Sequence, residues 1–206
     1  MTTDAHQPPL RQVRATFDDT TLIVYQAYPP QIADAALTAG AFVPPFKLDR
    51  MTWIKPSLLW MMYRSGWATK PGQERILAIR ITRTGFEQAL NDACLSHYVP
   101  GLHASPDEWR SRKQASTVRV QWDPERSLHL DPLPWRALQI GLSGTTAHQY
   151  VSQWITDITD ITQTAHDLRR LLHERDDAAA QHQLPAEKPY PLPPTTAQTI
   201  GATELT

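Results

Sequence analysis

Residues 51–67 read MTWIKPSLLWMMYRSGW, and no other stretch of the chain is so dense in large side chains. The stretch holds three of the seven tryptophans and three of the four methionines. Its first residues favour a short strand, which Pro56 blocks from continuing. Ser57 is a suitable cap for a helix that runs to about Ser65, and Gly66 ends that helix. The stretch therefore predicts a strand, a corner and a helix, around which the other elements are arranged.

The flanking segments alternate between strand-like and helix-like patterns. Runs of β-branched, aliphatic and aromatic residues predict strands at 20–28, 75–81, 118–122 and 135–142. Pro29 and Pro30 suit the first turn of a helix that Gly40 closes. Thr84 and Glu87 have the spacing of a capping box, and Ser105 can cap a short charged helix. These patterns predict an α+β fold with a mixed or mostly antiparallel sheet and flanking helices.

The last apolar pattern of the chain predicts a long amphipathic helix. Its apolar residues recur at alternating spacings of three and four, which places them on one helical face. They are Val151, Trp154, Ile158, Ile161, Ala165, Leu168 and Leu172. Many threonines lower the intrinsic helicity of the segment, so it needs a surface to pack on. The sheet of the same domain is the expected surface, and a dimer-forming coiled coil is the alternative.

Length and composition predict one compact domain with flexible ends. A chain of 206 residues with 41% hydrophobic residues can bury one good core. We expect a flexible N-terminus at 1–11, a single α+β domain at 12–175 and a disordered tail at 176–206. The tail is rich in Pro, Ala, Gln and Thr and lacks apolar periodicity.

The net charge and the cysteine content limit the functional classes and the cellular compartments to which the protein can belong. The net charge of −1 gives no global basic field for nucleic acid. A single cysteine, Cys94, excludes an internal disulfide and fits a reducing compartment. The first residues lack the apolar region of a signal peptide, and no run is long enough for a membrane span. A cytoplasmic protein without membrane contact is expected, and its oligomeric state stays open.

Several motifs recur together with the 51–67 stretch. They occupy 24–28, 72–75, 118–126 and 139–142. In this order they resemble DUF4291, a family of unknown function found in bacteria and fungi, over roughly 11–161. This resemblance implies no activity.

A second resemblance is to the ADP-ribosyltransferase superfamily. The strand and helix from Tyr25 to Phe42 are similar to its opening elements, and 52–60 is similar to the strand and helix that back its nicotinamide pocket. The resemblance implies NAD as a cofactor and transfer of ADP-ribose. This chain departs from the superfamily at two positions: Gln26 replaces the usual Arg or His, and Gln139 replaces the catalytic Glu of a late strand. Glu125 is the nearest carboxylate to that strand.

The candidate site is a nucleotide-binding pocket at the corner of the 51–67 stretch. Free amides and the helix dipole at Lys55 and Ser57 favour an anion, and Arg64 can add charge. An aromatic ring such as Trp53 can stack on a base or on nicotinamide. The predicted cofactor-binding residues are Tyr25, Gln26, Trp53, Lys55, Ser57 and Arg64, and the predicted catalytic residues are Ser57, Tyr63, Glu125 and Gln139. Ser57 and Tyr63 would shape the nicotinamide site, and Glu125 or Gln139 would orient the ribose or the acceptor. The competing interpretation is an ordinary helix cap, an Arg64 ion pair and an aromatic core.

Two other functions compete with a nucleotide pocket. Arg75, Arg80, Arg119 and Arg126 lie in or beside predicted strands near Trp122 and Trp135, so a sheet face could bind single-stranded nucleic acid. The C-terminal helix could instead bind a protein partner. No metal site is expected, because Cys94, His97 and His103 lack a second thiol and no His-Glu-x-x-His motif is present.

Overall fold

The computed structural model describes residues 7–203 and shows an α+β architecture. The strands are β1 (Arg14–Ala15), β2 (Thr21–Tyr28), β3 (Thr52–Ile54), β4 (Arg75–Thr82), β5 (Ala93–Leu95), β6 (Val118–Arg126), β7 (Pro132–Leu142), β8 (Ile155–Asp160) and β9 (Lys188–Pro189). The α-helices are α1 (Pro30–Ala39), α2 (Leu58–Ser65), α3 (Arg83–Asn91), α4 (Pro106–Ala115), α5 (Gly144–Gln149), α6 (Thr162–His173), α7 (Asp177–Gln183) and α8 (Pro194–Ile200). A π-helical turn covers Tyr150–Trp154.

Two sheets meet at the corner that follows β3. One is antiparallel, with the order β2-β4-β8, and the other has the order β3-β7-β6-β5, in which only β5 and β6 run parallel. The sheets are joined where the amide of Tyr25 donates to the carbonyl of Lys55 at 2.7 Å. The predicted mixed, mostly antiparallel arrangement is confirmed. The corner thus lies at the seam between the sheets.

The 51–67 stretch forms the predicted strand, corner and helix. The Ser57 hydroxyl accepts a hydrogen bond from the amide of Trp60 at 3.2 Å. Gly66 has φ 59°, and its amide donates to the carbonyl of Met62, which ends α2. Gly66 is suited to this left-handed conformation because it lacks a Cβ. The predicted caps at Ser57 and Gly66 are therefore confirmed.

Two apolar clusters hold the elements together. The larger lies between the sheets and helices α3 and α5, and includes Leu22, Ile79, Phe86 and Ile140. The smaller joins α2 to α6 and α7 through side chains that include Tyr25, Met61, Met62, Leu168 and Leu171. Full burial of an aliphatic or aromatic side chain stabilises a fold by about 1.5–3 kcal/mol. The second cluster therefore fixes α2, and with it the corner.

The cap of α3 differs from the prediction. The Thr82 hydroxyl, not that of Thr84, accepts from the amide of Gly85 at 3.3 Å and begins the helix. Glu87 does not reach back to Thr84; its carboxylate bonds the hydroxyl of Tyr190. The capping-box spacing therefore predicted the N-cap at Thr84, two residues after its actual position at Thr82. The prediction for α4 is confirmed, since the Ser105 hydroxyl accepts from the amide of Glu108 at 3.1 Å.

The predicted long C-terminal helix is wrong in its first half. Val151 and Trp154 lie in the π-helical turn, Ile158 lies in β8, and α6 begins only at Thr162. β8 pairs along β4 from Leu77 to Ile81. The β-branched residues of 155–161 favour a strand, and the edge of β4 supplies unpaired backbone groups for it. The spacing of the apolar residues in 151–161 also fits a helix, so periodicity alone could not distinguish a helix from a strand in this segment.

The predicted disordered tail is also wrong for residues 176–203. This segment forms α7, β9 and α8, and it buries Ala180, Tyr190 and Ile200. The indole of Trp122 donates to the carbonyl of Ile200 at 2.8 Å. Isolated apolar residues between prolines can be buried although they show no periodicity, so a search for periodic patterns does not detect them. Residues 204–206 lie outside the described chain.

The predicted flexible N-terminus, 1–11, is described only from residue 7. The amide of Arg11 donates to the Thr203 hydroxyl at 2.7 Å, and the amide of Thr203 donates to the carbonyl of Arg11 at 2.8 Å. The chain is therefore tied down at Arg11. The tail packs on the same core as the predicted domain 12–175.

Candidate functional site

A cleft of about 300 Å³ opens on one side of the corner, between β2, β3 and the segment that precedes β3. Its cationic side chains are Lys47, Arg50, Lys55 and Arg64, and its aromatic side chains are Tyr28, Phe46 and Trp53. None of the described residues that line it carries a carboxylate. We call this space the cationic cleft. Lys47, Arg50 and Arg64 are exposed, whereas Lys55 is buried, so the positive charge extends from the mouth inward.

Lys55 is the buried cation of the cleft. It is 6% exposed, and its Nζ lies 3.5 Å from the carbonyl oxygen of Trp53 and 5.1 Å from the centre of the Trp60 ring. Among residues 7–203, no carboxylate forms an ion pair with it. Burial and the charge of Arg64 lower the pKa of Lys55 to about 7, and Asp123 opposes this shift. Lys55 therefore lacks the counter-ion that a buried ammonium needs.

Gln26 forms the polar floor beneath the cleft. It is 2% exposed, and its amide nitrogen lies 2.7 Å from the Thr52 hydroxyl, 2.8 Å from the Tyr28 hydroxyl and 3.1 Å from the Trp53 carbonyl. Its amide oxygen accepts from the Tyr150 hydroxyl at 2.7 Å. Gln26 thus holds β2 against β3 and uses its hydrogen-bonding capacity within the protein.

The Trp53 side chain has room because β7 has a glycine opposite it. Trp53 pairs with Gly141 across the two strands. A Cβ on Gly141 would come within 2.5 Å of the Met51 sulfur and 3.0 Å of the Trp53 ring. Gly141 therefore gives room to the aromatic wall of the cationic cleft.

A second cavity, of about 350 Å³, opens on the other side of the corner. Its acidic residues are Glu125 and Glu187, and its apolar walls include Leu58, Leu59, Leu128, Leu133, Trp135 and Leu184. The Ser57 hydroxyl donates to Glu125 Oε1 at 2.9 Å. The amide of Leu58 donates to Glu187 Oε1 at 2.8 Å. We call this space the acidic cavity.

Burial shifts the pKa of both carboxyl groups of the acidic cavity upward. Burial raises the pKa of Glu125, against hydrogen bonds from Arg126 and Ser57. Burial also raises the pKa of Glu187 to about 8, opposed by the amide of Leu58 and reinforced by the charge of Glu125. Glu187 is therefore mainly protonated at neutral pH. Arg14 lines the cavity, but it donates to Gln12 and to the backbone carbonyl of Glu187.

The structure divides the predicted site between these two cavities. Gln26, Trp53, Lys55 and Arg64 line the cationic cleft, whereas Ser57 and Glu125 line the acidic cavity.

Three predicted residues lie in neither space. Tyr25 is buried in the smaller apolar cluster. Tyr63 is 41% exposed, with the Arg126 guanidinium 3.5 Å from its ring centre. Gln139 donates to Asp123 Oδ2 at 2.6 Å.

The arginines that suggested a nucleic-acid surface are engaged within the protein. Arg75 forms ion pairs with Asp34 and Asp160, and Arg80 forms one with Asp18. Arg119 donates to backbone carbonyls, which include that of Ser116 at 2.7 Å. These partners leave less charge for phosphates on one open face.

Sequence reasoning missed Lys47, Arg50 and Glu187. Lys47 and Arg50 lie between Gly40 and the 51–67 stretch, where the sequence analysis predicts no site residue. Glu187 lies in the segment that was predicted to be disordered. A signal was present for the first two, because Phe46 and two basic residues directly precede the 51–67 stretch. No periodic pattern marks Glu187.

The fold and the two cavities define an α+β protein whose two larger sheets meet at a corner formed by Pro56, between Lys55 and Ser57. Residues 12–190 match the model of the family described as Domain of unknown function (DUF4291), and the chain belongs to this family. The resemblance seen in the sequence is thereby confirmed. No curated protein matches the chain, and neither comparison connects it to the ADP-ribosyltransferase superfamily.

Within 7–203, no helix combines the length and the apolar character that crossing a membrane requires. In the same part of the chain, His, Cys, Asp and Glu side chains form no group of three or more that could hold a metal ion.

Proposed function

We propose that the protein binds a phosphorylated small molecule, with nucleotides as the best-suited class, in the cationic cleft. The observation that carries this proposal is Lys55, a buried amine in a cleft whose described lining residues include four cations and no carboxylate. An uncompensated buried charge is costly, so a bound anion would be favoured there.

The shape of the cleft supports a nucleotide. Its volume of about 300 Å³ is at the lower end of the range for small-molecule sites, roughly 300–1,000 Å³. Phosphate groups would lie near the exposed Lys47, Arg50 and Arg64. The rings of Phe46 and Trp53 line the same cleft and offer flat apolar surfaces against which a base can stack.

Transfer of ADP-ribose from NAD is the enzymatic form of this proposal, and the geometry favours it less than binding alone. A transferase needs a carboxylate over the bound ribose. Glu125 instead bonds Ser57 in the acidic cavity, and Gln139 carries an amide that bonds Asp123. NAD is therefore proposed as a ligand rather than as a donor.

The two competing functions have weaker support. The arginines proposed for nucleic acid form ion pairs or bond backbone carbonyls, as described above. The C-terminal helix has little free apolar surface for a partner, because Ala165, Leu168 and Leu171 of α6 are buried in the smaller cluster.

A thermal-shift titration with ADP, NAD and adenosine tests the proposal. ADP at about 100 times its dissociation constant should add about 2.7 kcal/mol to the unfolding free energy. Adenosine, which lacks phosphate, should stabilise much less. Lys55→Met should weaken ADP binding about 10- to 100-fold, because a charged hydrogen bond contributes about 1.5–3 kcal/mol.

Lys113→Met is the matched control, since Lys113 lies in α4 and lines neither cavity. Each variant is compared by its ligand-induced shift, because removal of a buried lysine changes the melting temperature by itself. Equal shifts in wild type and Lys55→Met would overturn the proposal, as would the absence of a shift with ADP and NAD.

A further inference from the structure

The cationic side chains of the cleft differ in their exposure to solvent, which suggests that they interact with different parts of a bound molecule. Lys47, Arg50 and Arg64 are exposed at the mouth, while Lys55 is 6% exposed at the inner end. Arg64 donates to the side-chain oxygen of Gln73. The Lys55 amine forms no ion pair among the described residues, and it lies 3.5 Å from the Trp53 carbonyl oxygen and 5.1 Å from the centre of the Trp60 ring. Lys55 is therefore the buried amine that faces a molecule bound in the cleft.

We propose that Lys55 is a nucleophile that forms an imine with the carbonyl carbon of a phosphorylated aldehyde or ketone, including the reducing sugar of a nucleotide such as ADP-ribose, bound in the cationic cleft. This inference rests on the proposed function, because the exposed cations must hold the phosphate while the carbonyl group reaches Lys55. It adds covalent chemistry that binding alone does not require.

The groups around Lys55 favour the neutral amine that this step needs. Burial and the positive charge of Arg64 oppose protonation, and Lys47 and Arg50 add positive charge to the same cleft. Asp123 is the nearby acidic group that acts in the other direction. The resulting pKa of about 7 leaves a substantial fraction of neutral amine at neutral pH. An exposed lysine, with a pKa of about 10.4, has only about one neutral amine in 2,500 at pH 7.

The step balances without an oxidant or a reductant. The Nζ lone pair attacks the carbonyl carbon and forms the C–N bond, while the C=O π electrons move to oxygen. The two hydrogens of the neutral amine are transferred to that oxygen, which leaves as water. The product is a C=N bond between Nζ and the former carbonyl carbon. Hydrolysis reverses the step and regenerates both partners.

Reductive trapping tests the inference on the full chain. The protein is incubated with pyridoxal 5′-phosphate, a phosphate-bearing aldehyde, and the imine is reduced with sodium borohydride. Peptide mass spectrometry then locates the adduct. At pH 7 Lys55 should be modified at least about tenfold faster than the exposed Lys47 and Lys70, because it has the larger neutral fraction. Pyridoxal, which lacks the phosphate, should react with Lys55 more slowly, and inorganic phosphate should compete.

Lys55→Arg separates the chemistry from the binding. This variant keeps a cation in the cleft but has no nucleophilic amine, so it should still be stabilised by ADP and should lose the trapped adduct. Modification spread evenly over exposed lysines would overturn the imine inference, as would equal rates with pyridoxal. If ADP stabilises the wild type under those conditions, the proposed binding function stands although the inference fails. If ADP has no effect and Lys55 shows no phosphate-dependent adduct, both fail.

Discussion

The cationic cleft and the acidic cavity both adjoin one corner, but they bury groups of opposite type: the amine of Lys55 in the cleft, and the carboxyl groups of Glu125 and Glu187 in the cavity. Lys55 enters the cleft and Ser57 enters the cavity, although residues two apart in a strand share a face. Pro56 ends the strand between them, and the turn sends the two side chains to different sides. A single proline therefore allows one short segment to serve two chemically distinct spaces.

The same physical cause acts in both spaces with opposite results. Burial lowers the pKa of Lys55 to about 7 and raises the pKa of Glu187 to about 8. Each group is thus moved towards its neutral form, because charge is costly where water is excluded. The charge of Lys55 and of Glu187 therefore depends on what else is bound beside each group.

The largest expected effect concerns the floor of the cationic cleft. Gln26→Leu would leave the Tyr150 hydroxyl without its acceptor and would remove one of the two side-chain hydrogen bonds between Thr52 and β2, the other being that of Tyr28. We expect the unfolding free energy to fall by about 2–4 kcal/mol, as measured by urea denaturation, because buried polar groups lose their partners. Gln73→Leu, at the mouth of the same cleft, should change it by less than about 1 kcal/mol. Equal losses would show that Gln26 has no special structural role.

An intermediate effect is expected at the shared corner. Ser57→Ala removes both the α2 cap and the donor to Glu125, so it should cost about 2 kcal/mol of unfolding free energy. Ser105→Ala removes only an exposed cap of α4 and should cost about 1 kcal/mol. Urea denaturation of both variants measures the difference. A smaller loss for Ser57→Ala than for Ser105→Ala would contradict the role of Ser57 in the acidic cavity.

The smallest effect concerns the acidic cavity and its pH dependence. Because the folded-state pKa of Glu187 is raised to about 8, the folded protein binds more protons than the unfolded chain between pH 4.5 and 8. The stability from this group is complete below pH 4.5 and is lost as the pH rises through 8. Wild type should therefore lose about 1 kcal/mol more than Glu187→Gln between pH 5 and 7, a value reduced for partial solvent exposure.

In Glu187→Gln the side-chain oxygen can still accept the hydrogen bond from the Leu58 amide, so that bond is retained. Lys55 does not affect this comparison below pH 7. Its contribution to the unfolding free energy rises with pH only between about 7 and 10.5, because its folded-state pKa is lowered to about 7. Glu174→Gln, at the exposed end of α6, is the control and should follow the wild type. Parallel pH curves for wild type and Glu187→Gln would refute the raised pKa.

The elements that local chemistry determines were predictable from the sequence. The corner at Pro56, the Ser57 cap and the Gly66 terminus each depend on one residue type and its neighbours. The interpretation of 151–161 as a helix failed because its true partner, β4, lies some 75 residues away in the chain. The prediction of a disordered tail failed for a related reason. Tyr190 and Ile200 are buried, but they are isolated apolar residues that form no periodic pattern in the sequence.

The candidate site was only partly predictable for the same reason. Lys55, Trp53, Gln26 and Arg64 do line one cleft, as the sequence suggested. Ser57 was expected beside Lys55, but the side on which each side chain lies depends on the backbone turn at Pro56. Glu187 meets Leu58 only because the tail folds back over α2, which is a tertiary contact between distant residues.

The paired amides of Arg11 and Thr203 have a mechanical consequence. Because these residues bond each other directly, the described chain is nearly a closed loop, and a short linker could span its two ends. A pulling force applied at Arg11 and Thr203 would first load that junction and would then peel away the tail that carries Glu187. We expect such a force to open the acidic cavity, because Glu187 lies in the tail that leads to Thr203 and bonds Leu58.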